Sequence, residues 1–318
     1  MTSHSGPAVL ATYTRSGFVE GAHHGYVVVV DPHGSVVRSW GNPEHVIFPR
    51  SSNKPAQATA MLEAGLDVPE HLVALAASSH SGEQRHLDGV AELLALGGLT
   101  ADALQTPPDF PLDEQERDAW VRAGSAPAPR AMNCSGKHSG MLVTCAGKGW
   151  SIETYREPEH PLQVAVRASV ERLAGEPVEH VGVDGCGAPV MSLTMAGLAR
   201  TLSRAVQAAP GSPERRVADA MRAYPEMVGG SRRDVTAFMR AVPGLVAKDG
   251  AEGVYVAALP DGTGIAIKVD DGADRARQVV LASLLVDLGV DPAVLTDLSS
   301  VPLHGGGNVV GEVRPALG

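Results

Sequence analysis

The sequence predicts an α+β protein in which segments from the N- and C-terminal ends build one antiparallel sheet around a helical middle. Three observations carry this expectation. Strand-like runs rich in Val, Ile and Tyr lie before residue 50 and return at 244–271. Between about 68 and 245, apolar residues recur at spacings of three and four, the period of a helix. Strands and helices are segregated along the chain rather than alternating, which separates α+β from βαβ architectures. The 318 residues, 44% of them hydrophobic, suffice for a globular core. The chain is read as a single unit, 1–318, with a sheet subregion at about 1–50 and 244–290 and a helical subregion at about 51–243.

The elements follow in order. Gly25-Tyr26-Val27-Val28-Val29-Val30-Asp31 is a β-branched run, Asp31-Pro32-His33-Gly34 supplies turn residues, and Ser35–Trp40 alternates on the way back, giving a hairpin. After Val46-Ile47-Phe48-Pro49-Arg50 a helix is expected to begin near Ser51. It continues through 53–64, with Pro55 in the first turn, where its missing N–H is tolerated. Periodicity then predicts helices at 69–78, 83–96, 113–123, 138–147, 161–174, 192–208, 213–223 and 231–241. Proline-rich loops such as Thr106-Pro107-Pro108 and Ala126-Pro127-Ala128-Pro129 separate several of them. Strands at 253–258 and 264–269 flank the turn Pro260-Asp261-Gly262; an amphipathic helix at 273–289, a short helix near 291–298 and a last strand at 308–313 complete the pattern.

Composition excludes several function classes. A formal charge of −10 argues against a nucleic-acid binder, which would show a basic face. No apolar run approaches the ~18 residues of a membrane span. Met1–Pro7 has neither a basic n-region nor a long apolar stretch, so it is not read as a secretory signal. Three cysteines are too few and odd in number for a disulfide framework, so a reducing, cytoplasmic setting is expected. Cys145, on an apolar helical run, reads as a small core residue. Only five lysines stand against twenty-one arginines, which directs attention to each lysine, because lysine can lose its proton and arginine cannot.

Chemistry concentrates in Ala131-Met132-Asn133-Cys134-Ser135-Gly136-Lys137-His138-Ser139-Gly140-Met141-Leu142. A thiol, a hydroxyl, an amine and an imidazole fall together between glycines that permit close approach. A solvated loop has no use for the cysteine, and a core does not tolerate an unpartnered lysine. Ser51-Ser52-Asn53-Lys54 is an S-x-x-K at a predicted helix start, where one turn lets the amine reach the hydroxyl and serve as its base; the plainer reading is a cap beside a surface lysine. Ser78-Ser79-His80-Ser81-Gly82-Glu83, with His86, is a second hydroxyl-rich turn, of which N-capping explains one serine only. Cys134 and Cys186 are both flanked by glycine. Their thiolates could join a zinc site with nitrogen from His138 or Lys137, although no C-x-x-C spacing supports it and two simply buried thiols fit equally. Lys248 sits in a glycine-bounded turn and, unaided, reads as solvent-exposed; Lys268 and Lys148 read as structural.

Taken together, Arg50-Ser51-Ser52-Asn53-Lys54-Pro55, Ser79-His80, Asn133-Cys134-Ser135-Gly136-Lys137-His138, Asp184-Gly185-Cys186 and Lys248-Asp249-Gly250-Ala251 resemble the rhizobial-type (class 3, asparaginase II) L-asparaginases, in the same order from about residue 8 to 290. The resemblance implies hydrolysis of L-asparagine to L-aspartate and ammonia, a serine β-lactamase/glutaminase-like fold and a homodimer. Carried over by motif, Ser51 with Lys54 and Ser79 with Lys248 form two serine–lysine pairs. Cys134, Lys137 and Cys186 hold a zinc ion (Zn2+), and Arg50, His138, Asp184 and His80 lie near the substrate. A lysine ligand must be unprotonated and is unusual for zinc. Two other readings stay open: a glutaminase or β-lactamase-like hydrolase of another amide, and a zinc-dependent amino-acid binding protein without turnover. The stretch past about 290 is given no role.

Overall fold

The computed structural model describes residues 6–317, and the architecture is α+β, with a curled antiparallel sheet carrying helices. Across the sheet the strands run Val301–Gly305, Asn308–Pro315, Ala8–Arg15, Phe18–Val30, Gly264–Val269, Val254–Ala258 and Val246–Gly250. The strand Val36–Trp40 pairs with Val27–Val30 of the long strand, whose opposite edge takes Gly264–Ile267. Val27, Val28, Val29 and Val30 are all fully buried. Successive strand residues point to opposite faces, so this run requires that the sheet be covered on both sides. The helix Met195–Gln207 packs on Phe18–Val30 and Val254–Ala258, and the helix Asp274–Asp287 on Gly264–Val269 and Asn308–Pro315. Among the described residues no helix is long and apolar enough to cross a membrane.

Several boundaries differ from expectation. The helix expected from Ser51 is a tight 3-10 turn at Arg50–Asn53, followed by an α-helix from Lys54. The helix expected at 138–147 begins at Ser135, and the one expected from 192 begins at Met195, because Leu193-Thr194 pairs with Val46-Ile47 instead. Residues beyond 290, given no role, in fact supply the outer two strands of the sheet, Val301–Gly305 and Asn308–Pro315. The hairpin Val181–Val183/Pro189–Met191 and the short helix Pro225–Gly229 were also not anticipated. Elements this short contain too few residues to display a period.

Three helices place the site. In Lys54–Glu63 every residue from Lys54 to Met61 is buried, and the small side chains of Ala56, Ala58 and Ala60 let neighbours close in all round. Glycine brings Ser135–Lys148 against the other two: a Cβ at Gly136 would lie 2.6 Å from the Leu75 carbonyl oxygen of the helix Glu70–Ala76, and one at Gly140 2.9 Å from Met61 Sδ. The sheet edge closes from the other side. A Cβ at Gly250 would meet the Pro49 carbonyl oxygen at 2.8 Å and the Ser52 nitrogen at 3.1 Å. Gly250→Ala is therefore expected to push the Arg50–Asn53 turn off the strand. The measurable outcome is a fall in kcat of about tenfold or more in a chain that still unfolds cooperatively; unchanged kcat would show that the turn tolerates displacement.

Candidate active site

Five segments converge: the Arg50–Asn53 turn with Lys54, the loop Ser78–Glu83, the start of the helix Ser135–Lys148, the Asp184–Gly187 turn of the short hairpin, and the edge strand Val246–Gly250. Backbone bonds tie them, Ser79 N–H to the Val228 carbonyl at 3.1 Å and His80 N–H to that of Asn133 at 3.0 Å. Lys54, Ser79, Cys134, Lys137, Cys186 and Lys248 are each at most 4% exposed.

Lys54 Nζ donates to the Ser78 carbonyl (2.5 Å), the Ser79 hydroxyl (3.0 Å) and the Cys134 sulfur (3.1 Å). The lysine expected to pair with Ser51 is therefore bonded to Ser79. Ser51 is half-buried, and its hydroxyl forms no hydrogen bond among the described residues. The expectation that Lys248 is solvent-exposed is overturned: it is fully buried within the strand Val246–Gly250, where the sheet edge meets the 3-10 turn. Its amine donates not to Ser79 but to the carbonyl and carboxylate of Asp249, at 2.6 and 2.7 Å. Burial pushes Lys248 down to about 8, helped by Lys54 and Arg233 and opposed by Asp249.

Cys134 and Cys186 meet in a small apolar cluster with Met132 and Ala188. Lys137 Nζ lies 3.2 Å from Cys186 Sγ, and Cys134 Sγ donates to the Asn133 side-chain oxygen at 2.9 Å. The neighbouring Cys134 holds the Cys186 thiol far below its ordinary range, against burial, with Lys137 and His138 adding to it. Cys186, then burial, pushes Cys134 up. Burial pulls Lys137 down, but Cys186, Cys134 and Asp184 outweigh it and keep the ammonium. Burial and Lys137 push His138 down to about 4, so the ring is neutral near pH 7. The Tyr155 hydroxyl lies 2.7 Å from its Nδ1, and its buried Nε2 has no hydrogen-bond partner among the described residues.

The donor types are ones zinc takes: two soft thiols, an amine beside one of them, and an imidazole nitrogen without a partner among the described residues. Among the described residues no three His, Cys, Asp or Glu side chains group around a metal position, so the set closes only if Lys137 joins after losing its proton.

At the half-buried rim, Arg50 Nε donates to Asp184 Oδ1 at 2.8 Å, and a second arm lies 3.6 Å from Glu252. Arg50 has a φ of +53°, the left-handed region that a non-glycine residue seldom adopts. His80 is fully buried behind the site, its Nε2 2.8 Å from the Ser135 hydroxyl and its ring stacked on His86. Burial, then His86 and Lys54, keep it well below its usual range.

Sequence reasoning missed Asp249, Arg233, Arg277 and Tyr155 as participants. Arg233 donates to the Ser79 carbonyl at 2.6 Å and to the Asp249 carboxylate. Asp249 adjoins Lys248, but its arginine partners, like the Ser79 partner of Arg233 and the His138 partner of Tyr155, lie on other elements of the chain. Asn53, quoted only as part of a motif, is 1% exposed with neither side-chain amide atom hydrogen-bonded.

No curated protein matches the chain. Among solved structures, a β-lactamase from Mycobacterium bovis aligns with 86% of this chain and 94% of its own at 16% identity and a TM-score of 0.45. A Bacillus glutaminase aligns with 83% of this chain and 91% of its own at 14% identity and a TM-score of 0.37. The family model for L-asparaginase II matches residues 11–315, and the chain belongs to that family.

Proposed function

We propose that this member of an amidohydrolase family hydrolyses L-asparagine to L-aspartate and ammonia through an acyl-enzyme. The observation that carries the reading is one buried cluster in which the Lys54 amine donates to the Ser79 hydroxyl, with the half-buried Ser51 in the turn that leads directly into Lys54. A nucleophile has to reach the substrate, and of the two serines Ser51 is the less buried. Ser51 attacks the side-chain amide carbon. Its proton passes to Lys54, which takes part in this step as the neutral amine, by way of the Ser79 hydroxyl that Lys54 contacts. Lys248, held as an ammonium against Asp249, gives a proton to the departing ammonia. A water then attacks the acyl carbon and returns a proton to Lys248, while Lys54 gives its proton back to Ser51 as aspartate leaves. Backbone N–H groups of the turn at the start of the helix Lys54–Glu63 stabilise the oxyanion. Arg50 and Asp184 take the substrate's α-carboxylate and α-ammonium by charge complementarity.

Cys134, Lys137 and Cys186 are the residues that would hold zinc. When bound, the ion supplies positive charge beside the substrate's polar groups and so helps to orient it. Cys186→Ser is expected to abolish metal content by mass spectrometry and to raise KM for asparagine about tenfold, with kcat within about twofold. Collapse of kcat in that variant would overturn a purely orienting role.

The decisive assay is ammonia release from L-asparagine and L-glutamine, and ring opening of a β-lactam, by wild type and Ser51→Ala. Ammonia from asparagine by the wild type alone supports the reading. Ammonia only from glutamine, or ring opening of the lactam alone, reassigns the substrate. Binding of asparagine without turnover by either protein makes it a binding protein.

A further inference from the structure

Lys248 does not stand alone beneath the site. Its neighbour Asp249 is 3% exposed. One carboxylate oxygen receives the Lys248 amine at 2.7 Å, and the other receives Arg233 and lies 3.5 Å from Arg277. Both arginines are tied down elsewhere. Arg233 donates to the Ser79 carbonyl, and Arg277 to the Gly250 carbonyl at 2.7 Å and to Asp274 at 2.9 Å. An unbroken ionic chain thus runs from Asp274, which is 69% exposed, through Arg277, Asp249 and Arg233 to the main chain of Ser79, with Lys248 as its branch.

We propose that Asp249 is a positioning residue for Lys248. One carboxylate oxygen fixes the amine and favours its protonated form, while Arg233 and Arg277 hold the other oxygen so that the carboxylate cannot turn away. The proposal rests on the reading of Lys248 as the proton donor to ammonia and specifies what keeps that proton in place. The chemistry follows from the charges enclosed. Facing the Lys248–Asp249 pair are Lys54 from the central helix, Arg233 and Asp234 from the loop and helix below, Arg277 from the C-terminal helix, and Tyr255 from the adjoining strand. Three cations bear on the lysine or on its carboxylate, so a buried amine there would shed its proton without a fixed anion. The arginines have the opposite influence: each draws on the same carboxylate and weakens its hold on Lys248. Burial raises Asp249, but Arg233, Lys248 and Arg277 outweigh it and keep the group ionised. Removing the carboxylate and removing one arginine should therefore move Lys248 in opposite directions, which a scaffold with no bearing on the proton would not do.

The test titrates the lysines directly. With five lysines in the chain, 13Cε-labelled lysine gives few enough signals to follow, and Lys248→Arg assigns the one of interest. Wild-type Lys248 is expected to titrate near 8. D249N should lower that midpoint by about one unit or more, the size of effect a carboxylate at hydrogen-bond distance exerts. R277M, which keeps the carboxylate and removes a competing charge, should raise it, and D249E should restore part of the D249N loss. The alkaline limb of kcat/KM for ammonia release should move with each midpoint. R277M alone carries the test if D249N does not fold. Equal midpoints in the folded variants, or shifts of the same sign, overturn the proposal. Shifts of opposite sign in a protein that releases no ammonia from asparagine uphold it and instead remove the substrate assignment.

Discussion

Ser51→Ala is expected to lower kcat for asparagine by about three orders of magnitude or more, with little change in KM or thermal midpoint. The small structural cost follows from geometry: the hydroxyl is half-buried and unbonded within the chain, so its loss leaves no buried partner unsatisfied. Ser79→Ala differs, because it strips an acceptor from the buried Lys54 amine and should lower both kcat and stability. Quenching wild type during turnover and digesting it should reveal an aspartyl adduct on the peptide containing Ser51. An adduct on Ser79 instead would exchange the two serines' roles, and the same pair of variants would then reverse in rank.

Lys54→Met should be equally damaging to turnover, and for more than one reason. Methionine has a similar shape, so packing within the central helix survives, but the Ser78 carbonyl, the Ser79 hydroxyl and the Cys134 sulfur each lose the same donor. Buried groups left without partners cost about 1–3 kcal/mol each. Loss of a positive charge beside Cys134, which lowers that thiol, should push it further toward the protonated state. Expected results are kcat down about a thousandfold or more, a lower denaturation midpoint and weaker metal retention. Turnover retained within about tenfold would mean that another group accepts the serine proton.

How far the sequence reached depends on whether a feature is local. The hairpin across Asp31–Gly34 and the strands around Pro260–Gly262 were legible, because alternation and turn residues lie next to one another. So was the helix Pro161–Ala174, whose bounds agree with the periodic reading. The last strand was expected at 308–313 but given no place in the sheet, since what fixes Asn308–Pro315 is pairing with Ala8–Arg15, some three hundred residues earlier, and Val301–Gly305, which was not expected, pairs with Asn308–Pro315 in turn. The site divides in the same way. That Lys54, Ser79, Cys134, Lys137, Cys186 and Lys248 all belong to one buried region is visible only in three dimensions, and Lys248 on its own spacing pointed the wrong way. The partnerships were less legible still. An S-x-x-K spacing allows Lys54 to reach Ser51, yet the fold turns the amine toward the Ser78–Ser79 loop. Asp249 follows Lys248 directly, but its significance comes from arginines on two other elements.

On the proposed roles of Arg50 and Asp184, the ion pair between them at the rim would bear on selectivity. Each of these groups already has the other, so an arriving molecule must offer both an anion and a cation to replace what it separates. A free amino acid brings both on a single carbon, and the exchange is then even. A plain amide, or a peptide blocked at either end, would open the pair without replacing both of its charges, a mismatch that discourages such molecules before any bond is broken.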